Sequence, residues 1–176
     1  MRAGVNVEKT AAALSKATKT LRAAGYEGDV VKVVTTISHW DATGGTSSLV
    51  HVLLGDFHKQ FLTGGMHTFQ GLKKLISLNP AEATMKIEVA SNGVARVMVP
   101  RGVLSSKAAG SADFVMKSLF PETWTAQKIV DAVDFIASKT LMKAGTHVSE
   151  MVVEGVNIRA VFENGTIITA FPIFPF

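Results

Sequence analysis

The chain contains no cysteine, which excludes disulfide bonds, thiolate metal sites and cysteine nucleophiles together. This absence does not identify a compartment, because a chain without thiols tolerates both oxidising and reducing conditions. Long apolar runs are also lacking: none reaches the length of a transmembrane helix, and the N-terminus has no apolar core of a signal peptide. Charged residues make up only 18% of the chain against 47% hydrophobic residues, a balance typical of globular proteins.

The length of 176 residues fits one domain, or two small lobes that share a core, and allows a sizeable interior. The formal net charge of +4 gives a mild preference for anionic partners. This preference alone does not indicate nucleic acid, because many enzymes with other substrates carry a similar charge.

Residues 7–24 are predicted to form a helix that Gly25 ends. One face of this helix is apolar and carries Leu14, Ala17 and Leu21. The other sides are basic and carry Lys9, Lys16, Lys19 and Arg22. A solvated helix face is the preferred interpretation of the basic side, and contact with phosphate groups is the alternative.

Two further helices and a strand are predicted in the first half. Residues 30–37 are rich in β-branched side chains, which favour a strand. Ser47 or Ser48 is expected to cap a short helix that contains His51. A second helix is predicted to follow His67 and to end at Asn79, before a proline.

The second half is predicted to be mostly strand. Residues 86–90 and 95–99 flank an Asn-Gly pair, which predicts a hairpin, and residues 101–113 are predicted to be a mobile loop. Thr125 is expected to cap a helix whose apolar residues recur at helical spacing. Three strands close the chain, at 148–153, 156–162 and 166–171. The predicted architecture is α+β, with helices first and then an antiparallel sheet against which one helix packs.

His51 and His67 are the first candidate catalytic residues, because an imidazole titrates near neutral pH and a pair supplies one base and one acid. The Gly64-Gly65 pair just before His67 allows a sharp turn and a close approach of the backbone to a ligand. Without a serine-type elbow or metal-ligand spacing, two imidazoles suit transfer at phosphorus. Such a site needs a fixed cation, because the phosphorane is more negative than the substrate.

Other interpretations of the histidines remain open at this point. His51 and His67 could be ordinary core or surface residues. In a helical register His51 and His58 would lie two turns apart on one face, and with His67 they could form a three-histidine metal site. Asp56 could orient a histidine or act as a helix C-cap, the latter being favoured. His39 and His147 are expected to be structural or surface residues.

Six short motifs resemble, in the same order, elements of the EndoU endoribonuclease superfamily. The first three resemble the active-site segment found in the coronavirus uridylate-specific endoribonucleases, and the last three resemble bacterial EndoU toxin domains. The resemblance covers roughly residues 48 to 172. The motifs are HVLLGDF at 51–57, GGMH at 64–67, GLKK at 71–74, KSLFP at 117–121, WTAQKIVDAV at 124–133 and GTIITAFP at 165–172.

The resemblance implies an EndoU-like α+β fold, with a mostly helical N-terminal lobe followed by an antiparallel β-sheet lobe with a packed helix. Residues 1–45 would be a helical or variable N-terminal segment. Residues 46–176 would be a nuclease domain with two lobes and one active-site cleft.

The resemblance also implies a catalytic set of His51, His67 and Lys117 that uses no metal or other cofactor. His67 would be the general base that deprotonates a ribose 2′-hydroxyl, and His51 the general acid that protonates the leaving 5′-oxygen. Lys117 would stabilise the phosphorane, and the product would be a 2′,3′-cyclic phosphate. Lys107 is the rival cation, in the predicted loop.

The resemblance further implies that Thr169 and Phe171 contact the substrate, with Gly65 as a backbone contact. The family has a tyrosine where Phe171 stands, so the stacking face is retained and the hydroxyl is lost. Packing of Phe171 in the core beside Phe162 is the alternative. The serine that follows the catalytic lysine in the viral enzymes has no counterpart here, where Pro121 stands, and uridine specificity is therefore not implied.

Bacterial EndoU toxin domains act as secreted or surface-presented effectors, including contact-dependent growth inhibition toxins. The resemblance therefore implies RNA, with transfer RNA (tRNA) as one substrate, and a cognate immunity protein as partners. Two alternatives belong to other classes: a catalytically silent RNA- or protein-binding module on the same scaffold, and a metal-dependent hydrolase.

Overall fold

The computed structural model describes residues 19–23, 48–82 and 84–176. In this part of the chain, residues 19–23 are helical and four further α-helices follow. The helices are α1 (Ser48–Leu53), α2 (Phe69–Leu78), α3 (Ser106–Ala109) and α4 (Ala126–Lys139). The strands are β1 (Asp56–His58), β2 (Phe61–Gly64), β3 (Ile87–Val89), β4 (Ala95–Pro100), β5 (Phe114–Leu119), β6 (Thr146–Val153), β7 (Val156–Glu163) and β8 (Thr166–Pro172).

One antiparallel sheet has the strand order β3-β4-β5 and lies beside the short β1-β2 hairpin. Its buried face comes from alternate residues of β4, such as Val97 and Val99, which have no exposed surface. Together with Leu62 of β2 and with Leu72 and Leu75 of α2, this face forms one hydrophobic cluster.

The second antiparallel sheet has the order β6-β7-β8 and packs against α4. Ile129, Val133 and Ile136 of α4 are buried together with Phe162 of β7. A register shift between Val161 and the next residue interrupts the pairing of β7 with β8. Apolar residues of α1 join this cluster, so α1 is fixed to the second sheet.

Helices α2 and α4 each begin at a threonine that satisfies a backbone donor. The hydroxyl of Thr68 accepts a hydrogen bond from the Gly71 N–H at 3.1 Å, and that of Thr125 accepts from the Lys128 N–H at 3.1 Å. Thr68 also donates to the Leu53 carbonyl, which ties the start of α2 to the end of α1.

The predicted α+β architecture is confirmed, as are α2, α4, the β3-β4 hairpin and the three final strands. The helix at Ser48 is also confirmed, but it ends at Leu53. The loop predicted over 101–113 contains a 3₁₀ turn (Arg101–Val103) and α3. Strands β1, β2 and β5 were not predicted.

Of the helix predicted over 7–24, the structure describes residues 19–23, which are helical. The strand predicted over 30–37, Gly25 and His39 lie outside the described residues. Among the described helices, none combines the length and the apolar character that crossing a bilayer demands.

Replacement of Ile136 by alanine tests the packing of α4 on the second sheet. Ile136 is fully buried, so Ile136→Ala is expected to lower the free energy of unfolding by about 2–5 kcal/mol. Leu141, which is 77% exposed, provides the control: Leu141→Ala is expected to change it by less than about 0.5 kcal/mol. Urea unfolding measures both, and equal losses would contradict the described core.

Candidate active site

Two backbone hydrogen bonds bring the segment that carries His67 against α1. The Met66 N–H donates to the His51 carbonyl at 3.0 Å, and the His67 N–H donates to the Val52 carbonyl at 2.8 Å. The two histidines are 16 positions apart in the chain, and these bonds hold their backbones side by side. Both bonds join main-chain atoms only.

Glycine at position 65 is required for this close approach. Gly65 has a φ of +64°, a backbone conformation that L side chains rarely adopt. A Cβ atom at this position would lie 2.0 Å from the His51 carbonyl oxygen. At Gly64 a Cβ atom would lie 3.2 Å from the His51 Cε1 atom. The Gly-Gly pair therefore serves to pack the chain onto His51, directly before His67.

His51 is held by a carboxylate. Its Nδ1 atom lies 2.7 Å from Oδ2 of Asp56, the first residue of β1. An ionised carboxylate only accepts hydrogen bonds, so Nδ1 is the donor and the ring's other nitrogen, Nε2, is left for further contacts. The expected C-cap role of Asp56 is wrong, because its side chain binds His51 and its backbone begins a strand.

His67 is held by a backbone carbonyl. Its Nδ1 atom lies 2.9 Å from the Ser118 carbonyl oxygen, and only 8% of the residue is exposed. A carbonyl accepts, so Nδ1 carries the proton and the neutral ring has its lone pair on Nε2. The pKa of His67 is lowered from 6.5 to about 3, chiefly by burial and also by the charges of Lys117 and His51, while the bond to Ser118 acts in the opposite direction.

Lys117 extends from β5, opposite Val97 on the inward face of the first sheet. Burial lowers the pKa of the Lys117 ammonium, whereas the negative charge of Asp56 raises it. The charge of Lys117 in turn acts on His67. Lys117, His67, His51 and Asp56 are therefore close enough to influence one another electrostatically.

Thr169 and Phe171 lie on one face of β8, both half-buried, with the fully buried Ala170 between them on the other face. The Phe171 ring stacks on the His67 ring with 5.3 Å between centroids and 27° between planes. The Arg159 guanidinium lies 5.8 Å from the centroid of the Phe171 ring. Phe171 therefore does not pack in the core cluster that contains Phe162.

The remaining candidates lie elsewhere. Lys107 is exposed on α3. His58 is an exposed residue of β1, so the helical register that would align it with His51 is wrong. His147 lies in β6 and stacks on Phe162 with 5.2 Å between centroids, a structural position as expected. Among the described residues, no cluster of three or more histidine or acidic side chains suits a metal ion.

Sequence reasoning missed two partners of the histidines. For Asp56 the sequence favours a helix C-cap over a bond to a histidine, and it does not indicate the Ser118 carbonyl. The spacing of five residues between His51 and Asp56 fits a helix end followed by a sharp turn at Gly55, whose φ is +85°. Every residue has a backbone carbonyl, so the residue type at position 118 does not indicate that its carbonyl binds His67.

The low pKa of His67 predicts a specific loss of stability in acid. The unfolded chain binds a proton at His67 below about pH 6.5, whereas the folded chain keeps this ring neutral down to about pH 3. Stability is therefore lost as the pH falls through this window, by about 2 kcal/mol between about pH 7 and about pH 5. His67→Asn should lack this contribution when urea unfolding is compared at the two pH values.

His58→Asn is the matched control, because His58 is exposed, and it should keep the pH dependence of the parent protein. An imidazole of His67 that titrates near pH 6.5 in the folded protein, followed by NMR, would contradict the prediction.

The packing of Gly65 on His51 predicts a large effect of an added methyl group. Gly65→Ala is expected to destabilise the fold by about 3 kcal/mol or more, because left-handed strain and the clash with the His51 carbonyl both act. Gly145→Ala is the control: Gly145 has a φ of +81° but open space around it, so strain alone should reduce stability by about 1–2 kcal/mol. Thermal unfolding compares them, and equal losses would argue against the close approach.

Comparison with known proteins adds independent information to this geometry. No curated protein sequence matches the chain. The family model described as bacterial EndoU nuclease matches residues 46–174, which contain His51, His67, Lys117 and β8. This match covers well over half of the chain and includes every residue that forms the candidate site. The chain belongs to the bacterial EndoU nuclease family.

Proposed function

We propose that the chain is a metal-independent endoribonuclease that cleaves RNA by attack of a ribose 2′-hydroxyl on the neighbouring phosphorus. The observation that carries this proposal is the state of His67: a buried, neutral imidazole with a proton on Nδ1 and a lone pair on Nε2, beside a lysine. Membership of a nuclease family supports the same reaction class.

His67 acts as the general base. Its low pKa keeps the ring unprotonated in the free enzyme, so Nε2 is ready to take the 2′-hydroxyl proton. The phosphate of bound RNA brings a negative charge to the site, which favours the imidazolium that forms when the proton arrives. The bound substrate therefore makes His67 a stronger base than it is in the free enzyme.

His51 acts as the general acid. The Asp56 carboxylate accepts from Nδ1 and partners the ring when it is charged, so the ring delivers its proton from Nε2. The oxygen at the 2′ position bonds to phosphorus and the bond to the 5′-oxygen breaks. That oxygen takes the proton of His51, which leaves a 2′,3′-cyclic phosphate and a 5′-hydroxyl end.

Lys117 stabilises the phosphorane. Its ammonium is partly desolvated on the inward face of β5, where a charge acts more strongly on a neighbouring anion than it would in water. Lys107 is exposed on α3 and lacks this burial, and the charges that act on His67 are those of Lys117 and His51. Lys117 is therefore preferred as the catalytic cation.

Thr169, Phe171 and the Gly65 backbone form the proposed substrate contacts. The Phe171 ring packs on His67, so a nucleotide bound against this part of β8 would lie beside this proposed general base. Phe171 has no hydroxyl, which leaves Thr169 as the side-chain hydrogen-bonding group of this pair. The requirement for a 2′-hydroxyl restricts the substrate to RNA.

We further propose that residues 46–176 form the nuclease domain, with two lobes and one cleft, and that residues 1–45 form a helical or variable N-terminal segment. The proposed biological role is that of a secreted antibacterial toxin domain that enters a target cell, as in contact-dependent growth inhibition. A tRNA substrate and a cognate immunity protein follow from this role. These finer statements rest on the family resemblance.

The reaction is tested by cleavage of RNA in the presence of a chelator. The unmodified protein is expected to produce fragments with 2′,3′-cyclic phosphate ends, and an RNA with a 2′-deoxy substitution at the cleaved position should stay intact. His67→Ala, His51→Ala and Lys117→Ala should each lower kcat about 10²–10⁴-fold, because each removes a proton-transfer group or the cation.

His58→Ala is the matched control, since it removes an exposed histidine seven positions from His51, and its rate should stay within about twofold. RNA binding without cleavage would favour a silent binding module, and activity restored only by added metal would favour a metal-dependent hydrolase. Either result would overturn the proposed mechanism.

A further inference from the structure

A basic groove with a volume of about 760 Å³ lies outside the residues assigned to catalysis. Lys19, Thr20 and Ala23 of the helical residues 19–23 line one part of it, and α2 lines the other. We call it the lysine groove and define it by its principal polar lining residues, Lys19, Gln70, Lys73, Lys74 and Ser77.

The groove exists because α2 is amphipathic. Gln70, Lys73, Lys74 and Ser77 follow one another at steps of three, one and three residues, which places them along one face of the helix. The opposite face is buried in the first hydrophobic cluster, for example at Leu75, which has no exposed surface. The polar face is thereby turned away from the core.

The described lining of the groove carries positive charge only. Among the described residues that line it, none is acidic. Four ion pairs occur within the described part of the chain, and none of them includes Lys19, Lys73 or Lys74. Three ammonium groups around one groove form a site of positive potential that suits a polyanion.

Lys74 links the groove to the catalytic residues. Burial lowers the pKa of its ammonium, and the negative charge of Asp56, the residue that binds His51, raises it. The Lys74 Nζ atom lies 4.6 Å from the centroid of the Phe57 ring, next to Asp56 in β1. Lys74 therefore lines the groove and also lies close to Asp56, the residue that binds the proposed general acid.

We propose that the lysine groove binds the phosphate backbone of RNA outside the cleaved linkage, as a second, sequence-independent substrate site. The inference rests on the proposed ribonuclease function. Ammonium groups neutralise phosphates, and the amide of Gln70 and the hydroxyl of Ser77 can bind phosphate oxygens or ribose hydroxyls without reading a base. The continuity through Lys74 favours the same RNA strand at both sites.

The test removes the charge of the groove and leaves the catalytic residues intact. The double variant K19E/K73E changes two exposed lysines and keeps Lys74, which is close to Asp56. The control K139E/K143E makes the same change of net charge at two exposed lysines that do not line the groove. Both variants are compared on a dinucleotide and on a long single-stranded RNA.

K19E/K73E is expected to lower kcat/KM on the long RNA about tenfold or more relative to the control, while cleavage of the dinucleotide stays unchanged. The slope of log affinity against log salt should fall by about 1.4, since each phosphate contact with a single strand contributes about 0.7. A neutral pair, K19Q/K73Q, should show a smaller loss in the same direction.

Binding of the long RNA is also measured in the His67→Ala background, where the RNA is not cleaved. Weaker binding on addition of K19E/K73E in this background supports RNA binding by the groove. This holds even if the parent protein cleaves neither RNA, because absence of cleavage would overturn only the proposed reaction. Equal binding and cleavage of the long RNA by both double variants would overturn the groove. Loss of poly-glutamate binding with unchanged RNA binding would assign it to an acidic protein and overturn the RNA proposal.

Discussion

The carbonyl oxygen of His51 holds the candidate site together. It accepts hydrogen bonds from the Gly55 N–H at 3.1 Å and from the Met66 N–H at 3.0 Å, and it leaves no room for a side chain at Gly65. The bond from Gly55 accompanies the sharp turn of the chain out of α1. The bond from Met66 holds the chain beside α1 again after the β1-β2 hairpin. The positions of Asp56 and His67 both follow from these two turns.

Burial then gives chemically similar groups different roles. His67 is almost fully buried with a carbonyl as its partner, which favours the neutral ring, whereas the partner of His51 is a carboxylate. Asp56 also acts electrostatically on Lys117 and Lys74, so one carboxylate is surrounded by three groups that can carry positive charge. This distribution of charge fits the proposed substrate, whose phosphates are negative.

Elements with local signals could be predicted from the sequence, and elements with non-local causes could not. Helix α4 has a threonine cap and a regular apolar face, and the β3-β4 hairpin has its Asn-Gly turn. Strand β5 has an inverted pattern, since Phe114 and Met116 are each 45% exposed while Lys117 lies on the inward face. A charged residue in an inward register contradicts the usual strand pattern, and the role proposed for Lys117 as the catalytic cation would account for the exception.

The same distinction applies to the site. Residue chemistry makes His51 and His67 candidates, and the resemblance to the family adds Lys117. The proximity of all three depends on pairing between distant segments. The bond from Asp56 to His51 forms because α1 ends at Leu53. A helix that continued through Gly55 would extend two residues further. Side-chain spacing alone therefore favoured a helix cap at Asp56.

The partner of the His67 Nδ1 atom is a main-chain atom, and this has an evolutionary consequence. Position 118 is paired with Arg96 on the outward face of β5, so its side chain can be exchanged without removing the carbonyl that fixes the imidazole tautomer. Substitutions at Ser118 are therefore expected to leave the orientation of the His67 ring unchanged. An insertion, a deletion or a slip in the register of β5 would displace this carbonyl, and the register of a strand with one buried face is strongly specified.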